Sequence, residues 1–196
     1  MLGFLKKKIS ASDLGIIMVR YANEIITADA GRSVGQLLGV LGDGESIAAA
    51  DRFGMNRSMR KLYVQTYLVL AFDAACSDFD NMIRDNIVDG VISCINSDDT
   101  DVDDICRIVS LARSMSNDID YVDKYVDTKQ FSVQFLDRNL IVPCYSIALL
   151  DHFRDGFLIK FVKDSEVLSF YCSTFGASVA TAYRANVQAS KIYKLK

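Results

Sequence analysis

The stretch NSDDTDVDDICR, residues 96–107, packs five aspartates into the seven positions from Asp98 to Asp104. Carboxylates at that density could hold a divalent cation, take protons in acid–base catalysis, or complement the positive end of a helix. A calcium loop of the EF-hand type needs oxygen ligands at its positions 1, 3 and 5, glycine at 6 and a bidentate glutamate at 12. Asp99, Asp101 and Asp103 would supply the early ligands, but Asp104 stands where the glycine belongs and Ser110 where the glutamate belongs. The D-D-x-x-D spacing with which helical prenyl-transfer enzymes hold magnesium fails as well, because Val102 occupies the fifth position after Asp98 and Asp99.

Helix initiation meets no such obstacle. Carboxylates in a first turn face unpaired N–H groups and the positive end of the helix dipole, each contributing about 0.3–1 kcal/mol. Asp99 or Thr100 can cap the helix, and Asp103 precedes Arg107 by four residues, the favourable order for an ion pair. Asp99, Asp101, Asp103 and Asp104 therefore stand only as weak metal candidates. Asp98, Asp99 and Asp101 are candidates for contact with a basic partner.

Nucleophilic chemistry has little to draw on. His152 is the sole histidine, and Cys144 is its nearest thiol in sequence. Eight residues along a helix separate them by about 12 Å, beyond hydrogen-bond reach. Asp155, one turn after His152, could orient the ring, but the same residues make an ordinary half-exposed helix turn. The five cysteines (Cys76, Cys94, Cys106, Cys144 and Cys172) are scattered and form no C-x-x-C pair. That usage predicts reduced, mostly buried thiols rather than a disulfide framework or a zinc site. Neither phosphate-loop pattern is present, since Ile47 follows Gly42 and Gly44 where a third glycine would be needed. No catalytic residue and no cofactor are assigned.

The elements that would position these residues read as helices. Pro143 is the only proline, which leaves long stretches free to coil. From a cap at Ser12, Leu14, Ile17, Met18, Tyr21, Ile25 and Ala28 share one face, with Arg20, Asn23, Glu24 and Thr27 opposite. The following glycines, Gly31, Gly35 and Gly39, mark either a loop or a flat strip for close helix approach. Further helices are expected near Ser46, over 57–78, 79–96 and 100–115, from about 118, and along GASVATAYRANVQASKIY. Within 130–173, QFSVQF alternates like a strand, and FLIKFV and VLSFYC flank KDSE as a hairpin would. Phe153, Phe157 and Phe161 nonetheless recur every four residues, as on a helix. The expectation is an all-α fold, a single domain over 1–196 forming a bundle of about seven or eight helices. A small β-hairpin within 130–173 is the alternative there, and residues 1–11 form a flexible or docked N-terminal segment.

Charge and composition narrow the function. Residues 71–127 carry fourteen acidic and four basic side chains, a net −10, between flanks of +3 and +4. An acidic middle argues against nucleic acid, whose phosphates need clustered lysine and arginine, and suits a basic protein partner. Hydrophobic residues make up 51 % of the chain. The longest apolar stretches, 62–72 and 140–150, fall short of the roughly 18–20 residues of a membrane span. MLGFLKKK lacks the plan of a secretory signal, though Leu2, Phe4, Lys6, Lys7 and Lys8 could rest on a membrane surface or a partner. A soluble, cytoplasmic protein is expected, with self-association using the surplus apolar surface. The leading functional expectation is a non-enzymatic binding or regulatory protein acting through protein–protein contacts as a homo-oligomer. One alternative is a helical bundle holding a small apolar ligand among paired aromatics (Tyr63 with Tyr67, Tyr121 with Tyr125, Phe131 with Phe135). The least favoured is an aspartate-dependent metal enzyme.

Overall fold

A computed structural model of the chain describes residues 6–37, 57–95, 102–117, 141–153 and 165–196. In chain order these form strand β1 (Lys7–Ile9), helices α1 (Ala11–Leu37), α2 (Arg57–Ala75), α3 (Asn81–Ile95), α4 (Val102–Ser116), α5 (Ile141–His152) and α6 (Ser165–Ile192), and strand β2 (Tyr193–Leu195). The all-α multi-helix expectation holds, with six helices among the described residues rather than seven or eight. The helices expected near Ser46 and from 118 lie outside the described residues.

Helix α2 is the axle. From Tyr63 to Ala75 it is buried almost without interruption, and it touches each of the other five helices. A helix apolar on all sides belongs in the middle of a bundle. Around it, α1 packs against α3 and α6, and α4 packs against α5. One buried cluster joins residues from Ile9 to Ala189.

Helix α1 is capped by Ser10, two residues before the expected cap. The Ser10 hydroxyl accepts the Asp13 N–H at 3.1 Å, and the Asp13 carboxylate accepts the Ser10 N–H at 3.1 Å. This reciprocal box satisfies two donors that the helix itself cannot pair. The helix then runs through Gly31 and Gly35 to Leu37, so these two glycines form no loop. Gly31 has open space around it, with no neighbour within 4 Å of where a Cβ would lie.

The close approach lies elsewhere. A Cβ on Gly15 would overlap the Ile87 carbonyl, and one on Gly90 would overlap the Ser12 carbonyl, so α1 and α3 cross backbone to backbone. That crossing sets the rotation of α1. It buries Met18, Ala22, Ile26 and Ala30, while Tyr21 is 47 % and Ile25 54 % exposed. The expected apolar face was therefore displaced: Tyr21 and Ile25 stand roughly a quarter turn from the line through Gly15 and Ala22.

Strand-like runs within 130–173 become helix wherever they are described. Val142 lies in α5, and the run from Val167 to Cys172 lies in α6. Both helices are buried widely, at Tyr145, Ile147 and Leu149 and at Tyr171 and Phe175. Burial on several faces produces the continuous apolar text that also marks inner strands. Residues 130–140 and 154–164 lie outside the described residues. Pro143 falls in the first turn of α5, where its missing N–H leaves no bond broken.

The N-terminal segment is docked where it is described. Strand β1 pairs with β2 in parallel, Lys7 opposite Tyr193, Lys8 opposite Lys194 and Ile9 opposite Leu195. The Lys196 N–H extends the pairing to the Ile9 carbonyl at 3.0 Å. The Lys6 ammonium donates to the Ser190 carbonyl at 2.6 Å, on the last turn of α6.

Candidate functional site

Three polar constellations are candidates, two of them inside the bundle. The first centres on Asp73, fully buried on α2. Arg84 of α3 donates to Asp73 Oδ2 through Nη2 at 2.6 Å, and Arg113 of α4 donates to Oδ1 through Nη2 at 2.6 Å. Tyr145 of α5 donates its hydroxyl to Oδ2 at 2.5 Å, and accepts Arg84 Nη2 at 2.7 Å. Arg113 reaches outward to Asp85 at 2.6 Å. One carboxylate thus ties four helices together.

This centre has no spare valence for catalysis. Both Asp73 oxygens are occupied by charged or phenolic donors. Burial opposes the Arg113 charge, but the hydrogen bonds and charges of Asp73 and then Asp85 outweigh it and hold its proton more firmly than usual. Burial, with the Asp73 charge adding to it, pushes the Tyr145 hydroxyl above the ordinary tyrosine range. A general base near neutrality needs a proton affinity poised there, and these groups are locked away from it.

The second constellation joins α1, α2 and α6. Ser33 donates to the Ala30 carbonyl at 2.7 Å, so its oxygen accepts from Tyr63 at 2.7 Å. Tyr63 in turn accepts from Tyr171 at 2.8 Å. Beside this chain, Ser178 donates to Asp29 at 2.9 Å and pairs with the Tyr67 hydroxyl at 3.1 Å. Burial raises the Tyr63, Tyr67 and Tyr171 hydroxyls above their ordinary range. The Tyr63 ring meets Phe153 edge-on at 5.3 Å, and the Tyr67 ring meets Phe175 at 5.1 Å. The tyrosine pair is therefore packed core with satisfied hydroxyls. Tyr121, Tyr125, Phe131 and Phe135 lie outside the described residues.

The third constellation is on the surface, where the chain's two terminal strands meet. A recess of about 410 Å³ opens between Ile9, Leu14, Phe79, Tyr193 and Leu195, with Lys6 and Lys194 beside them. A neighbouring recess of about 320 Å³ has Ala75, Phe79, Tyr183 and Val187 as apolar walls, with Lys6, Lys191 and Asp78 as its charged lining. Lys6, Phe79 and Ser190 are common to both. Lys6, Lys7, Lys8, Lys191, Lys194 and Lys196 are all exposed, beside the carboxylates of Asp13 and Asp78, which leaves this end net basic among the described residues. Here two of the sequence candidates for partner contact, Lys7 and Lys8, lie on β1 and a third, Lys6, stands just before it. Leu2 and Phe4 lie outside the described residues.

Of the aspartate cluster, Asp98, Asp99 and Asp101 lie outside the described residues, while Asp103 and Asp104 occupy the first turn of α4 as helix initiation requires. The ion pair differs from expectation: Asp104, not Asp103, meets Arg107, at 2.5 Å. Either spacing bridges one turn, and Asp103 instead faces solvent near Cys106. No group of three metal-ligating side chains is found among the described residues. Burial first, and then Asp89, Asp103 and Asp85, raise the Cys106 thiol. Cys144 is buried on α5, and burial pushes its thiol up to about 12; His152 lies eight residues further along that helix, its ring edge-on to Phe153 at 4.9 Å.

Sequence reasoning missed Asp73, Arg84, Arg113 and Tyr145. A signal existed for the first, since Asp73 interrupts the apolar run LVLAFDAA, and a buried carboxylate demands partners. The two arginines, eleven and forty residues away, carried no local mark.

No protein-family model, curated protein or solved structure matches the chain. Its class is thus defined by its own fold and sites: an all-α multi-helix protein whose interior charges hold helices together. No described helix is long and apolar enough to cross a membrane.

Proposed function

We propose that this chain is a non-enzymatic binding or regulatory protein that acts through protein–protein contacts, including contacts with copies of itself. The observation that carries the reading is the contrast between interior and surface. The buried carboxylates and tyrosines are engaged helix to helix, whereas Tyr21, Ile25, Met82, Tyr183, Val187 and Ile192 stand exposed. Tyr21 with Ile25 on α1, and Tyr183 with Val187 on α6, are one turn apart, the spacing with which helix faces present anchors to a partner.

The acidic middle segment supports a basic partner at a second surface, where Asp89 and Asp103 are exposed on α3 and α4. The cytoplasm is the compartment that suits five unpaired cysteines. Size-exclusion chromatography with light scattering, at micromolar concentration, tests the self-association. A mass above that of the monomer is expected, and a clean monomer removes it.

A further inference from the structure

We infer that the basic recess beside the terminal strands receives the Met82 side chain of a second copy of this chain, so that two copies close into a symmetric dimer. The inference rests on the self-association reading above and names its surface.

Met82 is the side chain that asks for a cover. It is 71 % exposed, more than any other large apolar residue described, and it sits in the first turn of α3. Methionine is unbranched and adaptable, suited to filling an irregular pocket. The 320 Å³ recess exceeds the ~150 Å³ cavity that accepts a benzene-sized group. Its walls, Phe79, Tyr183 and Val187, offer the aromatic and aliphatic surface a thioether prefers.

Charge matches shape. Met82 is flanked by the exposed carboxylate of Asp80 and by that of Asp85, which Arg113 pairs, whereas the recess carries Lys6 and Lys191 against one acidic side chain, Asp78, with Lys194 next to them. An opposite arrangement of signs around a knob and a hole orients an encounter and rejects wrong registers.

The knob and the hole are also neighbours on one molecule. Phe79, three residues before Met82, is a wall of the recess. A patch that carries both members side by side is self-complementary, which a two-fold contact requires, and such a contact closes at two copies instead of propagating.

Charge-swapped copies test this. Met82→Lys puts a positive knob against a lysine-edged recess, and K191E/K194E puts a negative edge against an acidic-flanked knob. Both changes are at exposed positions, and circular dichroism melts confirm folding. In sedimentation velocity, each variant alone is expected to dimerise at least about tenfold more weakly than the unmodified chain. An equimolar mixture is expected to recover the dimer. The lysine introduced at position 82 of one copy then meets the glutamates introduced at positions 191 and 194 of the other, while the second contact stays native. Variants that dimerise as well as the unmodified chain, or a mixture that stays monomeric, overturn this surface and leave self-association standing. A monomeric unmodified chain overturns the reading on which it rests.

Discussion

Removing the Asp73 carboxylate would leave two guanidinium groups and a phenol without their common acceptor. Arg84 and Arg113 are only 11 % and 19 % exposed at their side chains, so water replaces the lost partner poorly. Breaking a buried pair from one side costs about 3–5 kcal/mol. Asp73→Asn should lower the urea unfolding midpoint accordingly, and a loss under about 1 kcal/mol would show the network to be dispensable. The thiols give a second prediction. Cys94 should react first with a thiol reagent at neutral pH, and the raised Cys106 more slowly. Cys76, Cys144 and Cys172 should react only on unfolding. Burial pushes each of these three up to about 12 from an ordinary 9.0. In alkali the unfolded chain ionises first, so their contribution is intact below pH 9.0 and drains away as pH climbs towards 12. Alkaline melts that stay level over that window would contradict it. At this scale the sequence was least legible, because a carboxylate's partners come from helices brought together only by the whole fold.

Helix α1 crosses α3 where Gly15 meets the Ile87 carbonyl and Gly90 meets the Ser12 carbonyl, both backbone atoms that cannot swing aside. Gly15→Ala and Gly90→Ala should each cost at least about 1–3 kcal/mol through overpacking, outweighing the ~1 kcal/mol that alanine gains in helix propensity. Gly31→Ala meets nothing, so it should stabilise by about 0.5–1 kcal/mol. Thermal melts of the three variants decide, and a stabilising Gly15→Ala would remove the crossing. Helix existence was readable from spacing: Ile105, Val109 and Ala112 share the buried face of α4 as their periodicity predicts. The rotation of α1 was not, since a glycine contact with a distant helix chose which part of a broad apolar stripe went inward. Tyr21 and Ile25 are the remainder of that stripe. Nor were β1 and β2 readable, because three residues each, KKI and YKL, are too few to show alternation.

Among the described residues, six exposed lysines gather around the terminal strands with Asp13 and Asp78 beside them, while Asp80, Asp85, Asp89 and Asp103 are exposed on or beside α3 and α4. Opposed fields of this kind steer association and fade with salt. Dimerisation should therefore weaken as sodium chloride is raised, and an increase with salt would point to apolar contact alone. Segregation was visible in the sequence as a −10 segment between basic flanks. Its pairing with an apolar recess was not, because the recess is built from Lys6, Phe79 and Lys191, residues distant in the chain. We propose that this protein works by covering exposed apolar side chains with another protein surface. Hydroxyl-radical footprinting of the unmodified chain, from nanomolar to micromolar concentration, tests it most directly. Oxidation of Met82 and Tyr183 should slow as concentration rises, while exposed Cys94 reacts at a constant rate; concentration-independent rates at Met82 and Tyr183 would contradict the account.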